Sequence, residues 1–151
     1  MSICWYSDDE LKIYFSQVPR LNVRFSTPWM TLEEIKEINK KPFICEKELK
    51  VILVDEIKQD TYEFLIPASY VWDGASIPRM FWRLIGPKSD NRFLVPSLVH
   101  DVLCENHDYI DDDRYFSTIV FERLLYVSKV NNFNRWIIKH SVDNFQKICG
   151  W

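Results

Sequence analysis

The stretch ELKVILVDEIKQDTYEFLI, residues 48–66, decides the fold. Its first part, residues 48–54, is rich in β-branched side chains, and residues 61–66 alternate partly between apolar and polar side chains. A short polar connection, Lys58-Gln59-Asp60, separates the two runs, and Pro67 closes the second. The stretch therefore predicts an antiparallel β-hairpin.

The segment before the hairpin predicts two short strands and a helix. The strands are expected at residues 12–15 and 21–25. Thr31-Leu32-Glu33-Glu34 has the form of a capping box, in which a hydroxyl accepts a backbone N–H and a Glu three residues later reaches back. This pattern predicts a helix over about residues 32–40 that is ended by Pro42.

The second half of the chain predicts helices. Tyr70 to Gly86 indicates a shaped loop running into a short helix, followed by a turn at residues 88–91. Pro96 suits the first turn of the next helix. Asp111-Asp112-Asp113 precedes another, since carboxylates are favoured at a helix N-terminus, and a last helix runs from about Phe133 to near Gly150.

This order of elements predicts an α+β fold, with N-terminal antiparallel strands that include a hairpin and a C-terminal bundle of about three helices. The last helix is expected to carry the apolar side chains Phe133, Trp136, Ile137, Phe145 and Ile148. No linker or repeat divides the chain, so residues 1–151 are expected to form a single domain.

Composition limits the classes of function. With 19 basic and 22 acidic residues the net charge is −3, which gives no footprint for a phosphate backbone, so general nucleic-acid binding is not expected. No run approaches the ~20 apolar residues of a transmembrane segment, and the start does not resemble a secretory signal. The four cysteines lack Cys-x-x-Cys spacing, which favours free thiols in a soluble cytoplasmic protein over paired disulfides.

The segment Trp72-Asp73-Gly74-Ala75-Ser76-Ile77-Pro78 is the first candidate site. An Asp beside a Gly, followed by a Ser, can wrap side-chain oxygens onto nearby backbone donors and fix a sharp turn. One interpretation is a rigid structural turn that holds the sheet against the helices. The other is a binding site formed by Trp72, Asp73, Gly74 and Ser76, with Asp73 or Ser76 facing a pocket.

The adjacent pair His100-Asp101 is the second candidate site. Neighbours on a helix point about 100° apart, so the two side chains cannot face the same way. His100 is a candidate general base if it faces a groove, and Asp101 is a candidate metal ligand beside it. The alternative is a buried histidine that donates to a carbonyl.

A zinc site is a further hypothesis for the same helix. His100, Cys104 and His107 fall at i, i+4 and i+7, and these ligand types suit a soft metal. Asp113 or His140 would supply a fourth ligand. The alternative places Cys104 in the core, His107 on the surface and His140 on a polar flank.

These segments together resemble a phage and prophage family of unknown function, numbered 1353. The matching stretches are WDGASIPRMFWRLIGP at residues 72–87, VPSLVHDVLCEN at residues 95–106 and DDDRYF at residues 111–116. The resemblance covers roughly residues 45–150, so residues 1–44 are expected to be an extension outside it. Cys104 stands where the family usually has a tyrosine. The resemblance implies phage or prophage origin and no particular activity.

A second likeness is to phospholipases of the A-two type. It implies that His100 activates water, Asp101 binds calcium and Asp113 orients the histidine. The Gly-rich calcium loop of those enzymes is not seen here, and Asp73-Gly74 would have to replace it.

Two functions follow as hypotheses. The first is a phage or prophage protein that acts as a virion component or as a host-directed binding factor in the host cytoplasm. Its partner would be a phage structural protein or a host protein, bound through aromatic residues such as Trp72, Phe81 and Trp82. The alternative is a calcium- or zinc-assisted hydrolase that uses His100, Asp101, Asp113 and Asp73. An enzyme should gather these four polar side chains in one pocket, whereas a structural protein should hydrogen-bond them into the fold.

Overall fold

The computed structural model of the chain describes residues 2–74 and 91–148, and the side chains of the last helix up to residue 141. Seven strands lie in these residues: β1 Ile3–Ser7, β2 Leu11–Phe15, β3 Leu21–Val23, β4 Phe43–Cys45, β5 Leu49–Asp55, β6 Asp60–Ile66 and β7 Val71–Trp72. The described α-helices are α1 Leu32–Lys40, α2 Asn91–Glu105, α3 Arg114–Val127 and α4 Asn132–Ile148, with a 3-10 helix at His107–Ile110. The α+β prediction is confirmed.

The strands form two antiparallel sheets. The larger has the order β1-β2-β5-β6, and the smaller has the order β3-β4-β7. The predicted hairpin is the β5–β6 pair, in register from Leu49 opposite Ile66 to Asp55 opposite Asp60. At its tip Asp55 Oδ1 accepts from the backbone N–H groups of Ile57 and Lys58, both at 3.1 Å, and Gln59 has a φ of 59°. The side chain of Asp55 therefore accepts the hydrogen bonds of two backbone N–H groups in the turn and stabilises it.

The main core lies between the larger sheet and helices α2 and α3. Its sheet side comes from alternate residues of β2, β5 and β6, because successive side chains of a strand point to opposite faces. Its helix side is formed by buried residues of α2 and α3: Leu94, Leu98, Val99, Val102, Leu103, Phe116, Val120 and Leu124. A second buried cluster, which includes Phe93, Phe121 and Ile138, joins α2, α3 and α4.

Two details of the helix predictions are wrong. Pro96 lies inside α2 as its sixth described residue rather than in the first turn, and it is buried. A proline there removes one i→i−4 hydrogen bond, and burial of its ring in the core offsets part of that cost. On α4, Phe133 and Trp136 are 59% and 60% exposed, whereas Ile137 and Ile138 are buried. The helix therefore packs through Ile137 of the predicted set, but not through Phe133 or Trp136. The side chains of Phe145 and Ile148 lie outside the described residues.

Candidate functional site

Strand β7 is fixed to helix α2 by a buried tryptophan. Trp72 lies opposite Phe43 of β4 and is 1% exposed. Its indole N–H donates to Ser97 Oγ at 2.9 Å, and that hydroxyl donates to the carbonyl of Leu94 at 3.1 Å. The polar atoms of both buried side chains are thus satisfied, so the end of β7 is anchored to the middle of α2.

The residue after Asp73 can only be a glycine without local distortion. Gly74 has a φ of +90°, and a Cβ atom placed on it would lie 2.4 Å from Cε2 of Phe43. Both the backbone conformation and the space exclude a side chain. Asp73 is consequently held between an anchored tryptophan and a closely packed glycine.

The two candidate segments meet at Asp73 and Asp101. The Asp101 carboxyl is partly buried and shares a hydrogen bond with the Asp73 side chain. Burial, this hydrogen bond and the negative charges of Asp73 and Glu105 raise the pKa of Asp101 to about 9, while Lys41 acts in the opposite direction. At neutral pH Asp101 is therefore protonated and donates to Asp73. Two carboxyls held this close share one proton, because both cannot ionise together.

Tyr70 and Glu105 complete this group. The Tyr70 ring stacks on Trp72 with centroids 6.4 Å apart, and its buried hydroxyl oxygen has no partner at ordinary hydrogen-bond distance among the described residues. Burial, the Glu105 side chain and the charges of Asp101 and Asp73 raise the pKa of Tyr70 well above its usual range. We call Tyr70, Asp73, Asp101 and Glu105 the carboxyl cluster.

His100 points away from the carboxyl cluster. It is 7% exposed, its ring lies 4.9 Å from that of Phe121 on α3, and its Nδ1 is 3.7 Å from Cys104 Sγ. Asp101, one residue later, faces Tyr70 and Asp73 instead. A role for His100 as a general base stays a prediction.

Asp113 caps helix α3. Its Oδ1 accepts from the backbone N–H of Phe116 at 2.9 Å, and its Oδ2 accepts from the Lys58 ammonium at the hairpin tip. Both oxygens therefore have partners, in the arrangement typical of an N-terminal cap. The proposed role of Asp113 in orienting His100 stays a prediction.

The residues of the zinc hypothesis are divided between two places. His100 and Cys104 contact each other, but α2 ends at Glu105, and His107 begins the 3-10 helix. The His107 ring hydrogen-bonds to Asp112 and lies 3.3 Å from Asp108 Oδ1. Ligand atoms of these three lie within 4.8 Å of one another near the surface, a grouping that the sequence analysis missed. His140 lies elsewhere, exposed beside Trp136.

Other predicted features have simpler outcomes. Cys4, Cys45 and Cys104 are free thiols, and burial raises the pKa of Cys45. Ser76, Phe81, Trp82, Cys149, the loop after Gly74 and the predicted turn at residues 88–91 up to residue 90 lie outside the described residues. Among the described helices, none is long and apolar enough to cross a membrane.

A family model described as "Protein of unknown function (DUF1353)" matches residues 49–142. The chain belongs to this family. The family segment contains the whole carboxyl cluster, His100 and Asp113. It leaves out strands β1 and β2 of the larger sheet, in which β1 pairs with β2 and β2 pairs with β5.

One curated relative is also similar to part of the chain. The uncharacterized protein y4jT of Sinorhizobium fredii is 42% identical over 40 residues, which cover 26% of this chain and 12% of that protein. The chain thus spans a small part of that relative's length. No solved structure matches.

Proposed function

We propose that this protein is encoded by a phage or prophage and hydrolyses amide or ester bonds at the Asp73–Asp101 pair. The observation that carries the proposal is the hydrogen bond between these two carboxyls. They come from separate family segments, one after β7 and one on α2, and the fold brings them into contact. Asp73 is exposed and Asp101 is partly buried. A partly buried acid kept beside another acid is costly for stability, and such groups concentrate at functional sites.

The chemistry needs one ionised and one protonated carboxyl. The Asp73 carboxylate takes a proton from water as the water oxygen bonds to the substrate carbonyl carbon, and Asp101 gives its proton to the carbonyl oxygen. When the bond to the leaving group breaks, Asp73 returns the proton to the leaving nitrogen or oxygen. The new carboxylic acid hydroxyl returns the other proton to Asp101. The pair thus ends the cycle as it began.

The closeness of the pair favours acyl substrates over glycosides. Glycosidases hold their two carboxyls about 5–9.5 Å apart, so that a sugar or a water fits between them. Asp73 and Asp101 are within hydrogen-bond contact. A contact pair suits addition of water to a carbonyl, as in aspartic proteases.

The metal-assisted alternative rests on Asp101 as a ligand. The atoms of the carboxyl cluster that could bind a metal are all oxygens, which suit calcium better than zinc. However, ligand atoms gathered within 4.8 Å of one another occur at His107, Asp108 and Asp112 among the described residues, not at Asp73, Asp101 and Glu105. The described residues therefore fit a shared proton at the pair, and a bound cation at Asp101 stays a prediction.

The test combines turnover with a chemical label. Wild type, Asp73→Asn and Asp101→Asn are assayed against panels of fluorogenic peptides and nitrophenyl esters, with Asp9→Asn as the exposed control. Loss of either member of the pair should lower kcat/KM by about 10²–10⁴-fold. An epoxide reagent should esterify Asp73 in wild type but not when Asp101 is replaced by Asn. Equal turnover and equal labelling in all four proteins would contradict the proposal.

Binding to a phage structural or host protein is the second candidate, and exposed aromatic side chains on α3 and α4 favour it. Tyr126, Phe133 and Trp136 are each more than half exposed, at 57%, 59% and 60%. Aromatic residues are enriched at protein interfaces. Mass spectrometry of purified particles, compared with the infected-cell lysate, tests whether the protein is a virion component or a host-directed factor.

A further inference from the structure

A small apolar cavity lies where three elements of the fold meet. Its described lining comes from the start of β2, the tip of the β5–β6 hairpin and the first two turns of α3, and its volume is about 130 Å³. The apolar walls are formed by Leu11, Ile57, Phe116 and Ile119. Leu11 and Phe116 are 2% and 6% exposed and form the floor, whereas Ile57 is 71% exposed and lies at the mouth.

Hydrogen bonds hold the walls of this cavity in place. The backbone N–H of Glu56 donates to the carbonyl of Glu10 at 3.0 Å, which joins the hairpin tip to the loop between β1 and β2. The Lys58 ammonium donates to the Asp113 carboxylate, which joins the same tip to the start of α3. The cavity is therefore preformed, as sites for small molecules usually are.

Asp55 adds a buried carboxylate to this apolar lining. The residue is 9% exposed, and its Oδ1 accepts from the backbone N–H groups of Ile57 and Lys58. Its Oδ2 accepts no hydrogen bond from the residues that the structure describes, and this oxygen is not sealed from solvent. Because an unsatisfied acceptor in apolar surroundings costs free energy, a donor on a ligand would be stabilised there.

The other carboxylates of the lining already have partners of opposite charge. Glu10 Oε2 lies 3.5 Å from Nη2 of Arg123, and Asp113 pairs with Lys58. Within residues 2–74 and 91–141, no cation is in ion-pair contact with Asp55. The carboxylate that remains for a ligand is therefore that of Asp55, and its charge complements a cation.

We propose that this cavity binds a small organic cation, a primary ammonium carried by a single ring or an alkyl group of similar size. The ring fills the space between the apolar walls, and the ammonium donates to Asp55. Apolar cavities of about 150 Å³ hold a benzene ring, so the volume here fits one ring. None of the residues of the carboxyl cluster lines this cavity, and the site does not depend on the proposed hydrolysis.

Three probes of similar size separate the effect of charge from that of shape: benzylamine, benzyl alcohol and benzoate. Binding is followed in methyl NMR spectra, in which the signals of Ile57 and Ile119 should shift. We expect benzylamine to bind about tenfold more tightly than benzyl alcohol, because a hydrogen bond between charged groups is stronger than one to a neutral donor. Benzoate should not bind, because its carboxylate faces that of Asp55.

Two pairs of variants test the two halves of the ligand. Asp55→Asn keeps an oxygen for the turn and removes the charge, so it should weaken benzylamine about tenfold and leave benzyl alcohol nearly unchanged. Asp60→Asn, directly opposite in the hairpin and outside the lining, should change neither. Ile57→Ser should weaken both ligands about threefold or more by removing an apolar contact, whereas Leu65→Ser, on the same hairpin and 64% exposed, should not.

Melting temperatures will show that the four variants are folded. Three results would each overturn the proposal: unshifted Ile57 and Ile119 signals with benzylamine, benzyl alcohol or benzoate binding as tightly as benzylamine, or equal losses in Asp55→Asn and Asp60→Asn. If Asp55→Asn does not fold, equal affinities of Ile57→Ser and Leu65→Ser for benzylamine would overturn it instead.

Discussion

Two aspartates of the family segment, Asp101 and Asp113, lie in opposite electrostatic settings. Asp101 is partly buried beside Asp73 and Glu105, and burial together with these neighbours raises its pKa to about 9. Asp113 accepts from the N-terminal backbone of α3 and pairs with Lys58. Ionisation of the first costs stability, whereas the second satisfies a helix N-terminus and a lysine.

The difference shows what separates a candidate reacting group from a structural one. A carboxylate that satisfies a helix N-terminus and a lysine has an evident structural role. A partly buried carboxyl that faces another carboxyl gains nothing from its charge, so its presence needs a different explanation. Asp73 and Asp101 are therefore better candidates for the proposed chemistry than His100 and Asp113.

Gly74→Ala should give the largest effect, because it would displace Asp73 from Asp101. The new Cβ would meet Phe43 at 2.4 Å, and alanine is strained at a φ of +90°. We expect a loss of about 2–4 kcal/mol in the free energy of unfolding, measured by urea denaturation. A loss below about 0.5 kcal/mol would show that the end of β7 adapts freely and that the pair is not rigidly held.

Asp101→Asn should remove a pH dependence of stability. The folded pKa of Asp101 is about 9 and its ordinary value is 3.8, so the folded state binds more protons than the unfolded state between these values. Stability from this group therefore falls as pH rises from about 4 to about 9, by up to ~1.4 kcal/mol per pH unit. Asn keeps a neutral donor to Asp73 without titrating.

The difference in unfolding free energy between wild type and Asp101→Asn, followed from pH 5 to pH 9, measures this slope. The free energy of unfolding of the variant should increase relative to that of wild type as pH rises. Asp9→Asn serves as the control, because that residue is exposed on the loop between β1 and β2. Parallel curves for wild type and Asp101→Asn would mean that Asp101 is already ionised at neutral pH.

The elements predicted well from sequence are those with local signals. The capping box at Thr31 forms as expected, with Thr31 Oγ1 accepting from Glu34 N at 3.1 Å, and α1 spans Leu32–Lys40. The β5–β6 hairpin needs only neighbouring strands and a polar turn. Such features are determined within a few residues, so pattern alone finds them.

The features missed depend on contacts between distant residues. Nothing in the spacing of Asp73 and Asp101 indicates that their carboxyls touch, because the contact depends on how Trp72 anchors β7 to Ser97. Tyr70 and Glu105 gave no sequence signal for the same reason. The His107 group depends on the 3-10 helix after α2 and on the contact of His107 with Asp112, which the sequence spacing does not indicate.

Asp113→Ala should cost about 1 kcal/mol in unfolding free energy, because the backbone N–H of Phe116 loses its acceptor. For a chain of 151 residues this corresponds to a fall of about 2–4 °C in melting temperature. Asp113→Asn keeps a capping oxygen and should recover most of the loss. If Asn were as damaging as Ala, the negative charge rather than the cap would be the main contribution.

Lys58→Gln should have the smallest effect, and it separates the ion pair from the cap. The hydrogen bond and charge of Asp113 raise the pKa of the exposed Lys58, so the pair contributes stability below the ordinary lysine pKa and loses it as pH rises through the higher folded value. Because solvent and salt screen an exposed pair, the loss at pH 7 should be smaller than that of Asp113→Ala and should vanish in about 1 M salt. A loss equal to that of Asp113→Ala, unchanged by salt, would mean that the hairpin tip is held to α3 by Lys58 itself. In that case Asp113 would stabilise the fold mainly through its ion pair with Lys58. Asp113 and Asp101 would then differ only in the charge of their partners.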